Sequence, residues 1–138
     1  MRQISTLGHA DAQAAMQAIL AELERRGKAA VIAVADAHGE LIALLRMDGA
    51  PLPSATIATN KAFTAARERI ATRDLGQRAR HPEQGFDMAY FGDARYLGWG
   101  GGLPVAVDGV VVGAVAVSGL PEPEDIELAQ LGVAAILP

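Results

Sequence analysis

The sequence contains no cysteine. That excludes disulfides, thiolate metal sites, iron–sulfur clusters and a cysteine nucleophile. It also lacks an excess of basic charge: Lys plus Arg number 12 against 16 Asp plus Glu, a net charge of −4. Phosphate contacts need a basic surface, so no nucleic-acid partner is expected. No apolar run approaches the roughly 18 residues that cross a bilayer, the longest being Gly109–Val117, so no membrane partner is expected either. The first residues soon meet Asp11, Glu22 and Glu24 where a signal peptide needs an unbroken apolar core, and a cytoplasmic location is expected. Aromatic residues are scarce, at 4%, and unevenly placed. Phe86, Tyr90, Phe91, Tyr96 and Trp99 share one segment, and only Phe63 lies elsewhere. The core must therefore be aliphatic.

What is present is enough to fold. Hydrophobic residues make up 51% and charged residues 20%, which is not the composition of a disordered chain. A length of 138 residues suits one domain over 1–138. Ala10–Arg26 is rich in helix formers, with Met16, Ile19, Leu20 and Leu23 on one face and Ser5 or Thr6 available as a cap. Gly27 can end this helix. Ala29–Asp36 and Glu40–Met47 read as a hairpin around Ala37-His38-Gly39. Ser54 is expected to cap a second helix over Ala55–Ile70, and Thr72 a short turn over Arg73–Ala79. Arg80–Gly102 reads as an irregular segment, of the length usual for a lid, a binding loop or an oligomer contact. Leu103–Val107 and Val110–Ser118 flank Asp108-Gly109, a strong hairpin signal. A last helix runs from Glu124 or Asp125 to about Leu137. The expected class is α+β: one antiparallel sheet with helices packed on it. The nearly all-apolar strands Ala29–Asp36 and Val110–Ser118 need cover on both faces, which leads us to expect a homo-oligomer.

Several short motifs follow one another in a fixed order. They are Val34-Ala35-Asp36-Ala37-His38-Gly39, Arg46-Met47-Asp48-Gly49-Ala50, Asn60-Lys61-Ala62, Gly100-Gly101-Gly102-Leu103-Pro104, Asp108–Gly113 and Val117-Ser118-Gly119. In this order and spacing the chain resembles the GlcG/HbpS family, and also the C-terminal domain of PduO-type proteins. The resemblance covers nearly the whole chain and departs at Leu120, where the family more often has glycine. It implies a profilin-like fold, oligomeric assembly, and haem as a possible cofactor or ligand.

The residues themselves allow more than one chemistry. Arg46 and Lys61 are cations near element ends and can hold an anionic group, or can pair with nearby acids such as Asp48 or Asp36. Gly100, Gly101 and Gly102 can offer backbone N–H groups to an anion, or can simply lead into the next strand. Ser118 closes an apolar strand and is a ligand contact or a turn hydroxyl. His9, His38 and His81 lack metal-ligand spacing, so no protein-only metal site is expected, although one histidine suffices for haem. Tyr90, Phe91, Tyr96 and Trp99 can wall a flat ligand or form an interface between subunits. Gly85, Gly98 and Gly100–Gly102 suit a hinged lid over Phe86–Trp99.

Three functions follow from these residues. The first is a binding protein for a flat anionic ligand, for which the family resemblance implies haem or another tetrapyrrole. Arg46 and Lys61 would meet its carboxylates, and the aromatic segment would cover its ring. The second is a cofactor-independent lyase or isomerase on a small aromatic or carboxylic acid, with Asp36, Lys61, His81 or a loop tyrosine moving a proton. The third is a structural oligomer.

Overall fold

The computed structural model describes residues 1–138. The chain runs α1 (His9–Arg26), β1 (Val31–Asp36), β2 (Leu41–Arg46), α2 (Ser54–Glu68), α3 (Thr72–Ala79), β3 (Gly102–Val107), β4 (Val110–Ser118) and α4 (Glu122–Ile136). The strands form one antiparallel sheet in the order β2-β1-β4-β3, giving the expected α+β class. Asp108 (φ 51°) and Gly109 (φ 78°) both take the left-handed conformation that a tight two-residue hairpin turn requires. No helix is long and apolar enough to cross a membrane.

The period of two along a strand sorts the core into two layers. Ile32 and Val34 of β1, with Val105, Val115 and Val117, face α1 and α4 and pack with Ile19, Leu23 and Leu128. Val31, Ala33, Ala35 and Ala116 point the other way, against Ala58 and Ala62 of α2. That second face is built almost wholly of small side chains, so α2 sits close to the sheet and buries every residue from Lys61 to Ala66. The chain thus covers both faces of its central strands by itself. The uncovered-strand argument for an oligomer is corrected accordingly. What stays exposed is the edge strand β2, with Leu41 and Leu44, and the aromatic segment.

Three expected caps work differently. The backbone N–H of Gly8 caps α1 by donating to Asp11 Oδ2 at 2.9 Å. Thr6 instead accepts from the Ala37 N–H at 2.9 Å and ties the N-terminal segment to the β1–β2 turn. Pro53 holds the cap position of α2, and Ser54 is its first, buried residue. Ala71 caps α3, because the Thr72 hydroxyl is engaged with Gly102: it accepts from the Gly102 N–H at 3.0 Å.

Residues 80–101 contain one 3₁₀ turn, Met88–Phe91, capped by Asp87, whose Oδ1 accepts from the Ala89 N–H at 2.9 Å. Gly98 lies against α3 so closely that a Cβ on Gly76 would stand 2.0 Å from the Gly98 carbonyl oxygen. Gly98 therefore serves close packing, where the sequence suggested a hinge.

Candidate functional site

The end of β4, the first turn of α4 and one face of α2 converge on a cavity of about 330 Å³. Its walls include Ser54, Ile57 and Lys61 from α2, Trp99 and Gly100 from the loop, Ser118 and Leu120 after the sheet, and Glu122 and Asp125 from α4. Lys61 and Asp125 are both buried, at 3% exposure each. Lys61 Nζ donates to the Val117 carbonyl at 2.9 Å and to Asp125 Oδ2 at 3.4 Å. Asp125 Oδ1 accepts from the Leu120 N–H at 3.1 Å. Burial pushes the Lys61 amine below its ordinary pKa, opposed by the charge of Asp125. Burial likewise pushes the Asp125 carboxyl up, opposed by the charge of Lys61.

Gly101 completes this corner. It has φ +125°, and a Cβ there would stand 2.7 Å from Lys61 Nζ and 2.6 Å from the Val117 carbonyl oxygen. Its own carbonyl accepts from the Val117 N–H at 3.0 Å. The Gly102 N–H is taken by Thr72. The glycine run thus lets the loop lie against Lys61, while Gly102 has no free N–H to offer an anion. Glu122 adds a second carboxylate at the cavity, with Arg73 Nε 3.9 Å from it.

Trp99 also borders a second groove, of about 420 Å³. Phe86, Met88 and Leu97 give it an apolar floor, with Arg80 and Asp87 beside them. Trp99 is 63% exposed, unusual for the largest aromatic side chain. Behind the groove runs an aromatic stack. Phe86 meets Phe91 edge-on at 6.0 Å, Phe91 stacks on Tyr96 at 4.2 Å, and Tyr96 meets Phe63 edge-on at 5.1 Å. The Arg95 guanidinium covers the Phe63 ring at 3.9 Å.

The residues singled out from sequence fall into three groups. Lys61, Trp99, Gly100 and Ser118 line the first cavity, with Gly101 and Gly102 behind them. Phe91 and Tyr96 belong to the aromatic stack, and Tyr90 projects into solvent at 88% exposure. Arg46, Asp36 and His81 lie apart. Arg46 is exposed at the end of β2, in the same cross-strand row as Val31 and Ser118, and it borders neither space. It also forms no ion pair with Asp48 or Asp36, since none of the chain's salt bridges includes it. Asp36 closes the hairpin turn by accepting from the His38 and Glu40 N–H groups at 2.9 and 3.0 Å. His81 Nδ1 accepts from the Glu83 and Gln84 N–H groups at 3.2 and 3.0 Å, which places the neutral ring's proton on Nε2. No three His, Asp or Glu side chains are grouped to hold a metal ion.

Sequence reasoning missed Asp125, Glu122, Ser54, Arg80 and Met88. Asp125 had a detectable signal: it lies on one helical stripe with Leu128, Ala129 and Gly132, all buried. Lys61 sits in the same way among Ala58, Ala62 and Ala65. Charges on two apolar stripes are best satisfied by each other.

Comparison with known proteins gives a consistent picture. The family described as "Haem degrading protein HbpS-like" matches residues 7–134. An uncharacterized 15.0 kDa protein encoded between dhaT and dhaS in Citrobacter freundii is 33% identical over 129 residues, covering 94% of this chain and 91% of that one. Among solved structures, Klebsiella pneumoniae ORFY superposes with a TM-score of 0.90 at 30% identity, over 99% of this chain and 94% of that one. A PduOC:heme complex superposes with a TM-score of 0.86 at 27% identity, over 95% of each chain. With a match this long, and the same α+β architecture in its structural neighbours, the chain belongs to the GlcG/HbpS family.

Proposed function

We propose that this chain binds a flat, anionic tetrapyrrole, with haem as the leading candidate, in the groove beside Trp99. The observation that carries the reading is the exposed Trp99 indole next to an apolar floor of Phe86, Met88 and Leu97. A planar ring buried there removes apolar surface from water on both partners. Arg80 stands at the same groove and can meet a ligand carboxylate, the role that the sequence suggested for Arg46. The residues suit haem in a further respect, because Met88 brings a thioether into the groove. His81, with its proton on Nε2, would have to give up its turn hydrogen bonds to bind iron. The similarity to a protein solved as a heme complex supports the same ligand class. When bound, haem supplies redox-active iron; the chain's own residues cover the ring, meet its charge and exclude water.

Self-association is part of this proposal, through the aromatic segment and the exposed Leu41 and Leu44 of β2. Trp99 is the only tryptophan, so the protein's indole emission reports on the place where the groove and the first cavity meet. Haem binding there quenches Trp99 and slows amide exchange across residues 86–99. Unchanged emission and exchange at saturating haem would move the site elsewhere. A second reading, a lyase or isomerase without a cofactor, is favoured by the buried Lys61–Asp125 pair at the wall of the other cavity.

A further inference from the structure

The chain has two lysines, and they occupy opposite environments. Lys28 is exposed, with Nζ 2.7 Å from Glu124 Oε1. Lys61 is buried in the cavity wall and donates to the Val117 carbonyl and to Asp125 Oδ2. Two acceptors leave one N–H of the ammonium unpaired, and the Asp125 carboxylate, 3.4 Å away, stands ready to take the proton that Nζ must shed to become a nucleophile. Burial lowers the Lys61 pKa and raises that of Asp125, opposed in each case by the partner's charge, which eases passage of a proton from the amine to the carboxylate.

Other features of the cavity define what it can admit. Ile57, Trp99 and Leu120 supply an apolar wall, while Ser54 and Ser118 bring hydroxyl groups that can bond a carbonyl oxygen. Asp125 is already paired with Lys61 and Glu122 with Arg73, so the cavity has no unmatched cation to draw in a carboxylate. The cavity therefore suits an uncharged polar group on an apolar body.

We propose that Lys61 captures a small, uncharged aldehyde or ketone as an imine in this cavity, with Asp125 as the proton carrier. Lys61 passes a proton to the Asp125 carboxylate; the Nζ electron pair so freed adds to the carbonyl carbon, and the π pair moves to oxygen, which takes that proton from Asp125. The nitrogen, now positively charged, returns a proton to the Asp125 carboxylate. Asp125 then protonates the hydroxyl, which leaves as water while the nitrogen pair forms the C=N bond. The product is an iminium paired with the Asp125 carboxylate, and no oxidant, reductant or metal takes part. An iminium withdraws electrons from the adjacent C–H bond, which is the activation a lyase or isomerase needs. This inference does not rest on the tetrapyrrole reading, whose groove shares only Trp99 with this cavity.

The test uses the whole protein at neutral pH with benzaldehyde and sodium cyanoborohydride, which fixes an imine as a stable secondary amine. Peptide mass mapping then compares Lys61 with Lys28. The expected result is alkylation of Lys61 severalfold or more faster than Lys28, because the cavity holds the aldehyde against Nζ and Asp125 takes up the amine's proton. Equal or faster labelling of Lys28 would overturn the proposal. A second arm replaces benzaldehyde with glyoxylate, which carries a carboxylate. The ratio of Lys61 to Lys28 labelling should fall; an unchanged or higher ratio would overturn the assignment to uncharged carbonyl compounds. Lys61→Arg, which keeps a cation, should lose the fast-labelling site while its circular dichroism matches the parent. Fast labelling that persists in this variant would place the reactive amine elsewhere and overturn the proposal.

Discussion

The Thr64 hydroxyl accepts a hydrogen bond from the Leu97 N–H at 3.2 Å, pinning the aromatic segment to the interior of α2. The same oxygen donates to the Arg95 carbonyl at 3.2 Å. The C-terminal part of the segment is thus fastened to a buried helix, just before Trp99. The tip around Tyr90 stands free. Trp99 is presented from a fixed stalk, which lowers the ordering cost of binding a rigid ligand against it.

Thr64→Val keeps the shape and removes both bonds. It should cost about 1–3 kcal/mol, at about 0.5–1.5 kcal/mol for each of the two part-buried hydrogen bonds lost. Urea unfolding measures the loss, and amide exchange should speed up at Leu97. Parent-like stability and exchange would show that the stalk is held by packing alone.

Gly76→Ala tests the contact between α3 and the loop. A Cβ on residue 76 would meet the Gly98 carbonyl oxygen at 2.0 Å, so one of the two elements must shift. Overpacking of this kind costs about 1–3 kcal/mol. Because Trp99 follows Gly98, its emission maximum should move as well. A stable variant with parental emission would contradict this packing.

Much of this architecture was readable because local signals agreed. The Asp108-Gly109 turn, the apolar β1 and β4 and the Gly27 stop each specify their element without distant help. The hydroxyl caps were misread because Ser54 and Thr72 look alike in sequence whether they face their own helix or a neighbour. The cavity was harder to see. Asp125 sits among Glu122 and Glu124 and looks like one more acid at a helix start. Its role depends on α4 crossing beside β4 and α2, a contact between segments more than sixty residues apart. Arg46 shows the same limit: a cation at a strand end looks like a ligand contact in sequence, and only the placement of the edge strand shows that it borders neither space.

Asp125→Asn leaves Lys61 buried without its counter-charge. Removing one member of a buried pair costs about 3–5 kcal/mol at neutral pH. Lys61 then titrates further below its ordinary value of 10.5, with Glu122 the remaining acid that raises it. The unfolded chain holds more protons than the folded chain in the interval below 10.5, so the variant's stability should rise with pH there. A deficit that is the same at pH 7 and pH 10 would contradict the pairing.

Glu22 governs a different pH range. Its side-chain bonds with Arg25 and then Arg26 lower its pKa from 4.5 to about 2. A depressed carboxylate contributes stability that is present above 4.5 and is lost as pH falls toward 2. Glu22→Gln should therefore lower Tm at pH 7, with the difference from the parent closing as pH approaches 2. The pair is solvent-facing, so high salt should shrink the difference as well. A gap that is constant with pH and salt would assign the effect to packing.

The most direct test of the central claim is a haem titration read at the Soret band, comparing the parent with Trp99→Ala. The account predicts saturable binding by the parent. Loss of the indole, which contributes about 1.5–3 kcal/mol when fully covered, should weaken it roughly ten- to hundredfold. No saturable Soret change in the parent, or equal affinity in Trp99→Ala, would contradict a tetrapyrrole site at this groove.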